Sequence, residues 1–128
     1  MPFKSILFAA LCLIAAACHH HDDENDTNDP VLTISSPTSD ASIAGAVTIS
    51  GTATDESLHE MSIVVTKDSD SSELFKSAPE VHDLTSYTIA EKWTPSGLSA
   101  ETPVTLTVTV EDHNDHKVVK TVKFKVKP

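Results

Sequence analysis

Residues 103–126 read PVTLTVTVEDHNDHKVVKTVKFKV. Val104, Leu106, Val108 and Val110 alternate with Thr105, Thr107, Thr109 and Glu111. A period of two puts one set on a dry face and the other on a wet face, the mark of a half-buried antiparallel strand. The partner run carries Val118, Val122, Phe124 and Val126 at a single parity, which we assign inward. The turn between them poses a register question. A two-residue Asn114-Asp115 turn would set His113 against His116 and pair Val110 with Val119, opposing the two apolar parities. A connection of three to five residues, or a bulge, restores agreement, and the two histidines then need not face each other.

The same reading extends upstream. Val47, Ile49, Gly51 and Ala53 alternate with Thr48, Ser50, Thr52 and Thr54, and Tyr87 and Ile89 alternate with Thr88 and Ala90. No stretch after residue 30 has helical periodicity. The pattern predicts strands over about 31–36, 46–54, 61–67, 73–78, 85–93, 103–112 and 117–126. Polar or Pro-bearing connections separate them. Seven short strands in one stretch of this length predict an all-β, seven-stranded immunoglobulin-like β-sandwich over 31–128. Lys123, Lys125 and Lys127 fall on the outward parity of the last strand, where lysines protect a sheet from edge-to-edge pairing.

Residues 31–55, VLTISSPTSDASIAGAVTISGTATD, resemble the opening of bacterial Ig-like domains. Those begin with a strand ending in Ser-Pro, then a turn, then a strand closing on a G-x-A-x-D phrase, here Gly51-Thr52-Ala53-Thr54-Asp55. The closing hairpin is similar to theirs as well. The resemblance implies the sandwich fold and leaves function open, since this fold hosts adhesins, spacers, enzyme appendages and receptors alike. The Cys pair of antibody-type domains is missing, and Trp93 ends the fifth expected strand instead of sitting on the third.

The N-terminal 18 residues, MPFKSILFAALCLIAAAC, have a Lys4 n-region, an apolar run from Ile6 to Ala17 and small residues before Cys18. The run is too short to span a bilayer, which takes about 20 residues, and reads as a secretory signal peptide. Ile14-Ala15-Ala16-Ala17-Cys18 resembles the lipobox of bacterial lipoproteins, with Ala15 in place of the usual Leu. The resemblance implies cleavage after residue 17, lipid modification of Cys18 and attachment to a membrane through that lipid. Residues 18–30 then form an acidic tether containing His19, His20 and His21, expected to be disordered. Acidic runs just after the lipid Cys resemble surface-export signals, so the expected location is the outer membrane, on its periplasmic or its outer face.

Composition narrows the function. Nineteen acids against nine bases, all Lys, give a net charge of -10, which argues against nucleic acid as a partner. With three Gly in the chain, no Gly-rich phosphate loop exists. No G-x-S-x-G elbow appears and no thiol remains beyond Cys18, so the expected domain is not an enzyme. Two functions fit. The first is a lipid-anchored module binding an envelope protein or glycan through its loops. The second is a Zn- or Cu-binding lipoprotein. If successive strands run up and down, the connections holding His59, His82, His113 and His116 all fall at one pole. Imidazole is the commonest metal-binding side chain near neutral pH and suits Zn or Cu. Asp55, Glu56, Asp83 and Asp112 stand near them in the chain as further ligands or supporting acceptors. Calcium has weaker grounds: Asp23-Glu24-Asn25-Asp26 and Asp68-Ser69-Asp70 are oxygen-rich but lack a full ligand set.

Overall fold

The computed structural model describes residues 26–128. The signal peptide, Cys18 and His19–His21 lie outside the described residues. Eight strands run in the order β1 (Val31–Ser36), β2 (Ser42–Ala44), β3 (Val47–Thr54), β4 (Leu58–Lys67), β5 (Glu73–Ser77), β6 (Ser86–Trp93), β7 (Thr102–Asp112) and β8 (Lys117–Lys127). They form two sheets, β1-β3-β6 and β2-β8-β7-β4-β5. The fold is an immunoglobulin-like β-sandwich, as the alternation predicts.

The inward parities are those read from the sequence. Val47, Ile49, Ala53 and Ile89 of one sheet meet Ile63, Val65, Val104, Leu106, Val108, Val110, Phe124 and Val126 of the other, all buried. Such a layer of β-branched residues is what a pleated inner face accommodates best. Gly51 sits in this layer for a steric reason. It lies between Ile34 of β1 and Ile89 of β6, and a Cβ built there would run into the Thr33 carbonyl oxygen. That oxygen belongs to a paired backbone and cannot swing away. Gly51→Ala is therefore expected to destabilise the domain by about 2 kcal/mol, read as an earlier midpoint in urea.

The eighth strand is one the sequence reading places inside a connection. β2 pairs in parallel with the end of β8, Ser42 to Lys125 and Ala44 to Lys127. Three residues are too few to show a period. Flanking bonds hold it: Asp40 N–H to Lys123 O and Lys125 N–H to Ala41 O, both 2.8 Å. Ser42 Oγ donates to Glu101 Oε2 at 2.6 Å, and Lys125 and Lys127 reach the same carboxylate at 3.7 and 3.5 Å. The Ser42 bond and these lysines hold the Glu101 carboxyl below its ordinary range. The lysine stripe thus does not guard a bare edge. β8 lies between β7 and β2, and its last lysines help pin β2.

The register question resolves in favour of parity. Val110 pairs with Val118 and Leu106 with Val122. Asp112 N–H donates to His116 O at 3.1 Å, leaving His113, Asn114 and Asp115 as a three-residue loop with Asp115 left-handed at φ 65°. Residues 26–30 carry no regular structure, yet Pro30 is buried and Asn114 Nδ2 donates to the Asp26 carbonyl at 3.2 Å.

Candidate metal centre

Three connections close one end of the sandwich: 55–57, 78–85 and 113–116. Backbone bonds staple them together. Asp55 N–H donates to Thr85 O at 3.1 Å, Leu58 N–H to Leu84 O at 2.9 Å, Asp83 N–H to Leu58 O at 2.9 Å, and His113 N–H to Ser57 O at 3.2 Å. His59, one residue into β4, His82 of the second connection and His113 of the third each lie at or next to a staple. Their relative placement is fixed before any side chain is considered.

His59 is not in a connection, as the sequence reading has it, but inside β4. Leu58 pairs with Asp112 and Glu60 with Glu111, so His59 is the extra residue of a β-bulge. The inward residues of β4 accordingly skip from Leu58 to Met61. A bulge re-aims the side chain it carries, and here the ring lies against the other two. His59 and His113 stack with centroids 4.6 Å apart. His82 meets them edge-on, its centroid 5.4 Å from His59 and 4.6 Å from His113. One ring nitrogen from each of His59, His82 and His113 lies within 4.8 Å of the others. Donors of one tetrahedral ion lie about 3.3 Å apart when each is about 2.0–2.1 Å from it. Reaching that spacing would take rotation of the side chains, for which the partial exposure of the rings leaves room.

Asp83 joins two of the rings. Its Oδ1 lies 2.9 Å from His113 Nε2, and its Oδ2 lies 3.0 Å from His82 Nδ1. The residue is left-handed at φ 64°, a conformation Asp tolerates better than most side chains. His82 N–H is itself held by Glu80 Oε1 at 3.1 Å.

His116 stands apart from the three. Its Nδ1 lies 2.7 Å from Asp112 Oδ2, while Asp112 Oδ1 accepts from Asn114 N–H and His116 N–H, each at 2.8 Å. The Asp112 side chain is 1% exposed and holds the loop that presents His113. Burial by itself pushes its carboxyl up, but the bonds from His116 and Asn114 outweigh that and hold it below the ordinary carboxylate range. The Asp112 bond in turn raises His116 above the ordinary imidazole value, with Asp29 and Asp26 adding attraction. A raised folded-state pKa makes His116 stabilising below its unfolded value near 6.5, and that contribution is lost as pH rises through the folded-state pKa. The expected result is a midpoint gap between the protein and His116→Ala that is widest on the acid side of 6.5 and narrows towards alkaline pH. Thermal scans from pH 5 to 9 measure it.

On the other flank, carboxylate oxygens of Asp26, Asp55 and Asp112 lie within 4.8 Å of one another. Burial raises the Asp55 carboxyl, and the Asp26 and Asp112 charges add to the rise, against the bond it accepts from Ser57 N–H. The sequence reading did not group these three, because Asp26 arrives from a segment distant in the chain. Asp68 and Asp70 are each engaged by protein donors: Asp68 accepts from Thr105 Oγ1 of β7 at 2.6 Å, and Asp70 accepts from Ser72 N–H within its own turn at 3.0 Å.

The class of protein is thus a small β-sandwich with a cluster of three histidines at one loop end. No protein-family model matches the chain, and no curated protein matches it. Among solved structures, CopC from Methylosinus trichosporium OB3b is similar in fold, with a TM-score of 0.50 and 14% sequence identity. The match covers 77% of this chain and 94% of that chain. At that identity the likeness concerns the fold.

Proposed function

We propose that the domain binds a divalent transition-metal ion, Zn or Cu, through His59, His82 and His113. The observation that carries this reading is the convergence of three imidazoles, one from the β4 bulge and two from separate connections, held by backbone staples. Three histidines scattered over solvated loops would have no reason to stack edge and face within 4.6–5.4 Å of one another. Nitrogen donors without thiolate suit Zn(II) and Cu(II). Two of the rings are half-exposed or less, and His82 is exposed, so the ion would be reachable from solvent. Capture, buffering or handover of the ion fits this solvent-facing placement. His116 serves as a support of the loop.

The lipobox-like sequence completes the proposal. Cys18 would carry the lipid, residues 18–30 would link it to the sandwich, and the domain would work in the cell envelope, at the outer membrane and facing outward. Radiolabelled palmitate incorporated by the full chain and lost in Cys18→Ser tests the anchor.

The metal reading is tested by equilibrium dialysis of the chain carrying Ala at His19, His20 and His21, which removes the other imidazole run. One Zn or Cu(II) per chain is expected, with loss of binding in His59→Ala and in His113→Ala. Binding that survives both substitutions would sink it.

A further inference from the structure

Asp83 touches two of the three rings through two different oxygens, and each contact uses a different type of ring nitrogen. The contact on His113 is to Nε2 at 2.9 Å, and the contact on His82 is to Nδ1 at 3.0 Å. We propose that Asp83 is the positioning residue of the metal centre: one carboxylate keeps the proton on His82 Nδ1 and on His113 Nε2, so an ion is met by His82 Nε2 and His113 Nδ1. The inference rests on the metal reading above and specifies its donor atoms.

The argument is one of valence. An ionised carboxylate offers only acceptor lone pairs, so a ring nitrogen at this distance from it must carry hydrogen. A neutral imidazole has one N–H, and its other nitrogen then holds the lone pair that can ligate. Carboxylates behind metal-bound histidines commonly set one ring in this way and raise its basicity. Here the same group sets two. The backbone allows it. Consecutive side chains of an extended segment point to opposite faces, and the left-handed turn at Asp83 breaks that alternation so that neighbouring His82 and Asp83 meet. Asp83 N–H bonded to Leu58 O ties the carboxylate to the strand that carries His59.

Two-bond proton–nitrogen spectra of the ring-labelled chain, with Ala at His19, His20 and His21, test the proposal. Without zinc, the expected pattern is the Nδ1–H tautomer for His82 and the Nε2–H tautomer for His113. With zinc, the shifted nitrogens are expected to be His82 Nε2 and His113 Nδ1. Asp83→Asn keeps a residue that accepts the left-handed turn but replaces one acceptor with a donor. It is expected to weaken zinc binding about 10- to 100-fold and to mix the tautomers of at least one ring, with Asp83→Glu recovering part of both. Zinc found on His113 Nε2 would overturn the proposal, as would an Asp83→Asn chain with affinity within twofold and unchanged tautomers. A chain that binds neither zinc nor Cu(II) overturns the metal reading instead, and the zinc-free spectrum still decides whether Asp83 sets the tautomers.

Discussion

Zinc at about 100 times its dissociation constant is expected to raise the thermal midpoint of the protein by roughly 10–20 °C. The figure follows from linkage. A ligand that binds only the folded state at that excess adds about 2.7 kcal/mol, and for a domain of this size 1 kcal/mol moves the midpoint by about 4–8 °C. The effect depends on the folded arrangement, because His59, His82 and His113 are far apart in the chain and meet only when the three connections are stapled. In His113→Ala the shift should fall to a few degrees at most, since two rings hold an ion weakly. His116→Ala should keep the shift, because that ring faces Asp112 and not the cluster. Loss of the shift in His116→Ala with retention in His113→Ala would place the ion on the wrong flank and defeat the assignment.

The second large effect is expected at Asp112. Its two oxygens take bonds from the Asn114 and His116 backbone and from the His116 ring, in a position almost closed to water. Ala would leave these donors without an acceptor in a half-buried turn. Each stranded group costs about 1–3 kcal/mol, and bonds to a charge stand at the upper end. Because the three share one loop they do not add fully, and a total of about 3 kcal/mol is expected for Asp112→Ala. Denaturant unfolding measures it. Asn at the same position keeps an acceptor oxygen for the two backbone donors and should lose well under half as much. Metal binding should weaken in Asp112→Ala even under folding conditions, since the 113–116 loop presents His113. A midpoint for Asp112→Ala within a degree or two of the unchanged protein would contradict the structural role given to this carboxylate.

These two residues mark the boundary between local and tertiary information. The inward parity of Val104, Leu106, Val108 and Val110 is visible in the sequence because a strand repeats every two residues, and burial on one face forces apolar residues into that repeat. The same parity on β8 shows in advance that a two-residue turn cannot be right, and the three-residue loop with left-handed Asp115 is the outcome. β2 leaves no such trace. Three residues hold no period, and their pairing depends on Lys125–Lys127, more than 80 positions away.

The candidate site divides in the same way. The sequence by itself determined the sandwich, its core faces and the drift of histidines towards one end, because each follows from short-range periodicity and the reversal of successive strands. Which rings meet was decided only by the tertiary structure. One extra residue at His59 turns that ring out of the β4 ladder, and no local pattern distinguishes it from a loop residue. His116 is as near to His113 in sequence as a ligand pair requires, yet the buried Asp112 claims it. Asp83 becomes special only because the fold brings His113 to its second oxygen. Contacts of this kind join residues from separate connections, and their energies belong to the packed chain rather than to any segment of it.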